Sequence, residues 1–141
     1  MSVTSDAEVK AMQVRDAMNK AVLVVGPTHT LRQVAALMTQ RRVGSAVVLD
    51  PDGEGVGIMT ERDVLYAVGR GLDLDVERAE SHLTWDVVYA NPEWTLEEAA
   101  SAMVRGGFRH LVVLDDGDVL GVISVRDILR VWTQQRTPAP A

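Results

Sequence analysis

The sequence repeats itself at a nearly fixed spacing. With an offset of 65 residues, Pro27 matches Pro92, and the segment VVLD at 47–50 recurs at 112–115. The offset then falls to 64, because the turn DPDGEGVG of the first copy is one residue longer than the turn DDGDVLG of the second. A one-residue slip confined to a turn is expected of two copies that share one topology.

Each copy predicts the order strand, helix, hairpin, helix. Short apolar strands are predicted at 21–25 and 87–90, and a proline follows each of them. Thr30 and Thr95 precede helices whose apolar residues recur at i, i+3, i+4 and i+7. The segments SAVVLD and HLVVLD then lead through Asp- and Gly-rich turns into VGIM and LGVI, which predicts two hairpins. A second helix follows each hairpin.

The repeats define the expected organisation of the chain. We predict an α+β fold in which two β-α-β-β-α repeats pack as one pseudo-two-fold module, since roughly 60 residues alone bury little core. The expected segments are a first repeat, a connecting loop with a short helix, a second repeat and a disordered tail, at 12–70, 71–82, 83–133 and 134–141.

The final helix of each copy begins with the same pattern, GIMTERD in the first and GVISVRD in the second. It sets Thr60 three residues before Asp63, and Ser124 three residues before Asp127. Such a pair can close a capping box, in which hydroxyl and carboxylate satisfy free backbone amides. A carboxylate beside a hydroxyl also suits a vicinal diol, such as the two hydroxyls of a ribose. Both interpretations stay open.

The charges beside the two patterns differ. A phosphate carried by the same ligand needs cations, because Asp63 or Asp127 would repel it. The strand HLVVLD begins beside Arg109 and His110, whereas the matching residues of the first copy are glycine and serine. The two copies are therefore expected to bind anions unequally.

Composition argues against several other functions. The net charge of −6 and the 4% aromatic residues give no footprint for nucleic acid. The chain has no cysteine, and its three histidines lack ligand spacing, so we predict no metal site. No nucleophile elbow or phosphate-binding loop is visible, so we predict no catalytic residue and no enzyme. No signal peptide or apolar span stands out, which favours the cytoplasm.

The doubled G-h-h-[ST]-x-x-D ending, the segment RHLVVLDDG and the P-x-x-T-L entry to the first helix resemble the cystathionine-β-synthase (CBS) domain. The tandem pair is similar to a Bateman module and covers roughly 12–133. The resemblance implies regulatory binding of AMP, ADP, ATP or S-adenosylmethionine in clefts between the repeats, with no cofactor required.

The same resemblance implies roles for individual residues. Asp63 and Asp127 would hold ribose hydroxyls, with Thr60 and Ser124 beside them. The phosphate would be met by Arg109 and His110. The residues that would line the adenine lie on the first strand of each copy: Val24, Val25, Tyr89 and Ala90.

The resemblance also implies a homodimer. Many relatives attach this module to an enzyme or transporter, and here no further segment is left to regulate, so a stand-alone protein acting on a separate partner is expected. The alternative is a ligand-independent protein–protein interaction module in which the S/T-x-x-D patterns are only helix caps.

Overall fold

A computed structural model describes residues 6–52, 55–85 and 87–136. Within them lie six α-helices, six strands and one short 3₁₀ helix at Ala79–Ser81. In chain order the helices and strands are α1 (Asp6–Ala11), α2 (Val14–Ala17), β1 (Val24–Val25), α3 (Leu31–Arg41), β2 (Ser45–Leu49), β3 (Val56–Thr60), α4 (Glu61–Gly69), β4 (Tyr89–Ala90), α5 (Leu96–Gly106), β5 (His110–Asp115), β6 (Asp118–Ser124) and α6 (Val125–Arg136).

The two repeats have the same topology. β1 pairs in parallel with β2, which pairs antiparallel with β3, and the second copy arranges β4, β5 and β6 in the same way. The helix α3 or α5 connects the two parallel strands, as a parallel pair requires a crossover. The predicted α+β class and the β-α-β-β-α order of each repeat are confirmed.

Some predicted bounds are wrong. The first strands cover only Val24–Val25 and Tyr89–Ala90, not 21–25 and 87–90. In the first copy the Asn19 side chain accepts the Ala21 amide at 2.9 Å, which turns the chain before the strand begins. At the other end of the chain, α6 continues through residues 134–136, which the sequence assigns to the tail, and 137–141 lie outside the described residues.

The first-repeat helix α3 begins as the sequence predicts. The Thr30 hydroxyl accepts the Gln33 amide at 3.2 Å, and the Gln33 side chain accepts the Thr30 amide at 2.9 Å. At its end Arg42 adopts a left-handed conformation with φ of 56°. The matching helix α5 starts at Thr95, whose hydroxyl accepts the Glu98 amide at 3.1 Å and donates to the Glu98 carboxylate at 3.2 Å, and it ends at Gly107, with φ of 71°. The two repeats therefore place different residue types, an arginine and a glycine, in the same left-handed conformation after this helix.

The chain forms two compact units, of which one is a continuous stretch and the other combines two segments that are distant in sequence. Val22–Val87 contains the first repeat, whose core includes the buried Ala79 of the 3₁₀ helix. The second unit combines the described parts of Met1–Ala21 and Val88–Ala141, so that Val14 and Ala17 of α2 complete the core of the second repeat. No helix among the described residues has the length and apolar character needed to cross a membrane.

Candidate functional site

The start of β2 or β5 and the start of α4 or α6 meet at one corner in each repeat. The antiparallel register places Ser45 opposite Thr60 and His110 opposite Ser124. A backbone hydrogen bond of 3.0 Å from the first helical residue closes each corner, from Glu61 to Gly44 and from Val125 to Arg109. We define the first corner as Gly44, Ser45, Thr60, Glu61, Asp63 and Tyr66, and the second corner as Arg109, His110, Ser124, Val125, Asp127 and Arg130.

The glycine that opens each pattern gives room to a neighbouring segment. Ile58, next to Gly57, exchanges two backbone hydrogen bonds of 3.0 Å with Thr84. Val122, next to Gly121, exchanges two with Asn19, at 2.9 and 3.1 Å. A Cβ at Gly121 would lie 2.7 Å from the Asn19 carbonyl oxygen, closer than such atoms approach. The glycine therefore serves the packing of the strand rather than the ligand.

In the first corner Asp63 caps α4 through one oxygen. Its Oδ2 accepts the Thr60 amide at 2.8 Å and the Thr60 hydroxyl at 3.3 Å. Its Oδ1 accepts no hydrogen bond within the part of the chain that the structure describes. Burial raises the pKa of Asp63 above its ordinary 3.8, although the Thr60 bonds and the nearby His82 and Arg62 act to lower it.

In the second corner Asp127 is more strongly engaged. Its Oδ2 accepts the Ser124 amide at 2.8 Å and the Ser124 hydroxyl at 2.9 Å, while the Asp127 amide donates to that hydroxyl at 3.2 Å. Its Oδ1 accepts from Nη2 of Arg130 at 2.8 Å. Asp127 is 7% exposed, whereas the Arg130 side chain is 45% exposed. A buried carboxylate is thus paired with a guanidinium that faces solvent.

Both capping boxes are closed, as one of the two interpretations of the sequence requires. The choice between a cap and a ligand site therefore rests on the oxygen that the cap does not use. Sequence reasoning missed Arg130, which takes that oxygen in the second corner, and Glu61, which lies in the first. The offset of 64 residues pairs Arg130 with Tyr66 and Glu61 with Val125, so comparing the copies beyond the pattern itself would have found both.

The corners differ in charge as well. A Cβ at Gly44 would lie 3.4 Å from Oε1 of Glu61, so a carboxylate stands where the second corner carries Arg109. Arg109 is exposed, and its neighbour Val125 is uncharged. Glu61 and Val125 are therefore a second pair of residues, besides Gly44 and Arg109, that would make the two corners bind anions unequally.

The residues expected near an adenine alternate between surface and core. Val24 is 49% exposed and Tyr89 37%, whereas Val25 and Ala90 are buried. The first side chain of each short strand is therefore exposed and the second is buried, and the role of all four residues near an adenine stays a prediction. Among the described residues no group of three or more His, Asp or Glu side chains could hold a metal ion.

The CBS domain family model matches the chain twice, at residues 14–70 and 79–133. The chain belongs to the CBS domain family. It is 35% identical over 118 residues to an uncharacterized 17.7 kDa protein of Acidianus ambivalens, with 82% of this chain and 70% of the relative covered. It is 31% identical over 116 residues to the CBS domain-containing protein YhcV of Bacillus subtilis, with 82% and 81% covered.

Other relatives of this CBS-domain chain are longer than it is. An uncharacterized protein of Methanocaldococcus jannaschii is 29% identical over 84% of the chain, which spans only 42% of that relative. The described fold is also found in solved structures. A CBS domain protein from Pyrobaculum aerophilum complexed with AMP is 29% identical, with a TM-score of 0.76, and 87% of this chain and 99% of that one are covered.

A hexameric CBS-CP12 protein from bloom-forming cyanobacteria is 28% identical to the chain and has a TM-score of 0.80. The comparison covers 84% of this chain and 67% of that one. The repeat that the sequence displays is therefore a pair of CBS domains.

Proposed function

We propose that the chain is a regulatory module that binds an adenosyl compound such as AMP, ADP, ATP or S-adenosylmethionine and thereby changes its interaction with a separate protein. Thr60 with Asp63 and Ser124 with Asp127 would hold the ribose, Arg109 and His110 the phosphate, and the first strands the adenine. The role is binding without catalysis, and a cytoplasmic location stays a prediction.

One observation carries the proposal. Capping of α4 occupies only Oδ2 of Asp63, and Oδ1 accepts no hydrogen bond from the described residues. No buried side-chain oxygen among the described residues lacks a hydrogen-bond partner, so Oδ1 is open to solvent, and ligand hydroxyls would take the place of water there. The AMP complex of the Pyrobaculum aerophilum protein, a relative with the same fold, makes an adenosyl ligand the first class to test.

Thermal unfolding with AMP, ADP, ATP, S-adenosylmethionine and GTP tests this proposal. A ligand at a hundred times its Kd adds about 2.7 kcal/mol, which raises the Tm by several degrees. We expect a shift with at least one adenosyl compound, and its loss when both Asp63→Asn and Asp127→Asn are introduced.

The chain provides its own control, Gln33→Ala, which breaks a capping box with no proposed ligand role. This variant should lower the Tm and keep the ligand response. The absence of a shift with every compound, or equal loss of the response in Gln33→Ala, would favour the ligand-independent interaction module. The closed capping boxes make that module the second candidate.

We further propose that the module forms a homodimer through α4 and α6. Each helix exposes two large apolar side chains at matching positions, Leu65 and Val68 in the first repeat and Leu129 and Trp132 in the second. Exposed apolar side chains on one helix face often mark interfaces, although Trp132 also donates its indole N–H to Asp6 at 3.2 Å. The hexameric state of the CBS-CP12 protein shows that a relative self-associates.

Sedimentation equilibrium tests the dimer. Leu65→Glu or Leu129→Glu should raise the dimer Kd at least tenfold, because a charge would be buried at the interface. Val104→Glu is the matched control, since Val104 is 83% exposed on α5 and lies outside the proposed interface. A wild-type protein that stays monomeric at high concentration would contradict the dimer.

A further inference from the structure

The two corners offer a ligand different numbers of acceptor sites. A carboxylate oxygen has two lone pairs, and in both corners the two donors of the cap fill those of Oδ2. Only Oδ1 then remains for a ligand. Arg130 takes one site on Oδ1 of Asp127, whereas Oδ1 of Asp63 keeps both within the described part of the chain. The first corner can therefore accept both hydroxyls of a vicinal diol without displacing a protein group.

The charges around the two carboxylates differ, although Arg62 and His82 also lie near Asp63. The first corner adds Glu61 against Gly44 and sets the uncharged Tyr66 one turn into α4. The second corner replaces Glu61 with Val125 and carries guanidinium groups on Arg109 and Arg130.

Arg62 and Arg126 precede the two aspartates at matching positions and so do not distinguish the corners. The difference therefore comes from the residues that the two copies do not share.

These surroundings favour different ligands. A phosphate in the first corner would meet two carboxylates, Glu61 and Asp63, whose like charge disfavours it. In the second corner Arg130 donates one N–H to Asp127, and its side chain is 45% exposed, so its other N–H groups can reach an incoming phosphate. Arginine is well suited to this contact, because its planar fork binds phosphate through two parallel hydrogen bonds.

We infer that the two corners take ligands of different charge class: the first an uncharged nucleoside with a vicinal diol, the second a nucleoside phosphate held through Arg109 and Arg130. Glu61 and Arg130 determine this selectivity. The inference rests on the proposed function and divides its ligands between the two repeats.

Titration calorimetry of the full chain with adenosine and with AMP tests the division. Asp63→Asn should abolish adenosine binding without changing AMP binding. Asp127→Asn should abolish AMP binding without changing adenosine binding. Both substitutions keep the size of the side chain, and circular dichroism checks that each variant is folded.

The copies supply reciprocal variants at exposed positions. Arg130→Tyr places the first copy's residue in the second corner and should weaken AMP binding by about tenfold to hundredfold, the worth of one charge-assisted contact. Adenosine binding at the first corner should not change. Glu61→Val combined with Tyr66→Arg should let AMP bind at the first corner at least tenfold more tightly than it does in the wild type.

The failures of the two hypotheses are distinguishable. If wild-type protein binds neither adenosine nor AMP, the proposed function and this division both fail. If both ligands bind but Asp63→Asn and Asp127→Asn weaken them equally, or if Arg130→Tyr leaves AMP binding unchanged, the division alone is wrong.

Discussion

The two corners have the same backbone frame but differ in what surrounds the carboxylate. In both, the aspartate caps its helix through Oδ2 at 2.8 Å from the backbone amide. Beyond the cap, Asp127 is buried and bound to Arg130, whereas Asp63 lies near Glu61 with an oxygen that has no donor among the described residues. The comparison shows that the repeated pattern fixes a helix start, and that residues outside the pattern set the chemistry.

The largest difference in stability between corresponding variants of the two repeats is expected at the glycines that open the two patterns. Gly121→Ala should reduce the free energy of unfolding by about 2–3 kcal/mol, since its Cβ would meet the backbone carbonyl of Asn19. Gly57→Ala should cost about 1 kcal/mol, because the nearest atom is the side-chain Cδ1 of Leu83, which can shift more easily than backbone, and the Thr84 carbonyl oxygen lies farther away, at 3.1 Å. Urea unfolding measures both.

Gly69→Ala is the control for the added methyl group, because no atom of the described residues lies within 4 Å of its Cβ position apart from its chain neighbours and its own helix backbone. It should be neutral or slightly stabilising in the helix. Equal losses at Gly57 and Gly121 would show that the two strands tolerate a side chain alike.

The next largest difference in stability is expected between alanine variants of the two aspartates. Asp127→Ala removes the acceptor of the Ser124 amide and leaves Arg130 without its partner, at a cost of about 1.5–3 kcal/mol. Asp63→Ala should cost less than about 1 kcal/mol, because removing this carboxylate also removes its burial penalty.

Denaturant unfolding at pH 7 compares the two aspartate variants. Arg130→Tyr separates the ion pair from the cap and should cost at most about 1 kcal/mol, since the guanidinium is partly exposed. If Asp63→Ala destabilises as much as Asp127→Ala, the energetic difference between the corners is wrong.

A smaller effect on stability is expected from substitutions at the residues that end α3 and α5. Arg42 and Gly107 occupy equivalent positions, both with positive φ. Arg42→Gly should stabilise by about 0.5–1 kcal/mol, because a left-handed conformation costs a side-chain-bearing residue about 1–2 kcal/mol and glycine pays only in unfolded-state entropy. Gly107→Ala should shift the Tm in the opposite direction. Thermal unfolding of both variants would contradict this account if the two shifts had the same sign.

The smallest effect concerns the pH dependence of stability. Burial raises the pKa of Asp63, so the folded state holds this proton more tightly than the unfolded state does. As pH rises from the ordinary value of 3.8 through the raised pKa, ionisation costs the wild type stability that Asp63→Asn retains. The stability advantage of Asp63→Asn should therefore grow over that interval and stay constant above it.

Unfolding measured from pH 3 to pH 7 tests this dependence, with Asp52→Asn, a variant in an exposed turn, correcting for the loss of one charge. An advantage that shrinks as pH rises would mean that contacts with Thr60, His82 and Arg62 outweigh burial.

The repeat, the order of the elements and the helix starts could be predicted from the sequence alone. These features follow from local rules: apolar residues recur with the periods of strand and helix, proline and glycine mark the ends, and a hydroxyl three residues before Gln, Glu or Asp caps a helix. Because each rule acts within a few residues, it can be read without knowing what lies across the fold. The first strand of each repeat was predicted but its length was wrong, since strand length depends on a neighbouring strand and not on the apolar run.

Which segment completes the core of the second repeat, and which groups reach the spare oxygen of each aspartate, depend on the tertiary structure. Val14 is buried in a core whose other residues include Ala90, Leu96 and Leu111, far along the chain, and no local pattern specifies that pairing. Likewise, the contact of Arg130 with Asp127, and the place of Glu61 beside Gly44, depend on side-chain rotamers and on the antiparallel register. Two copies with one pattern could therefore acquire different surroundings, because packing is settled by the whole fold.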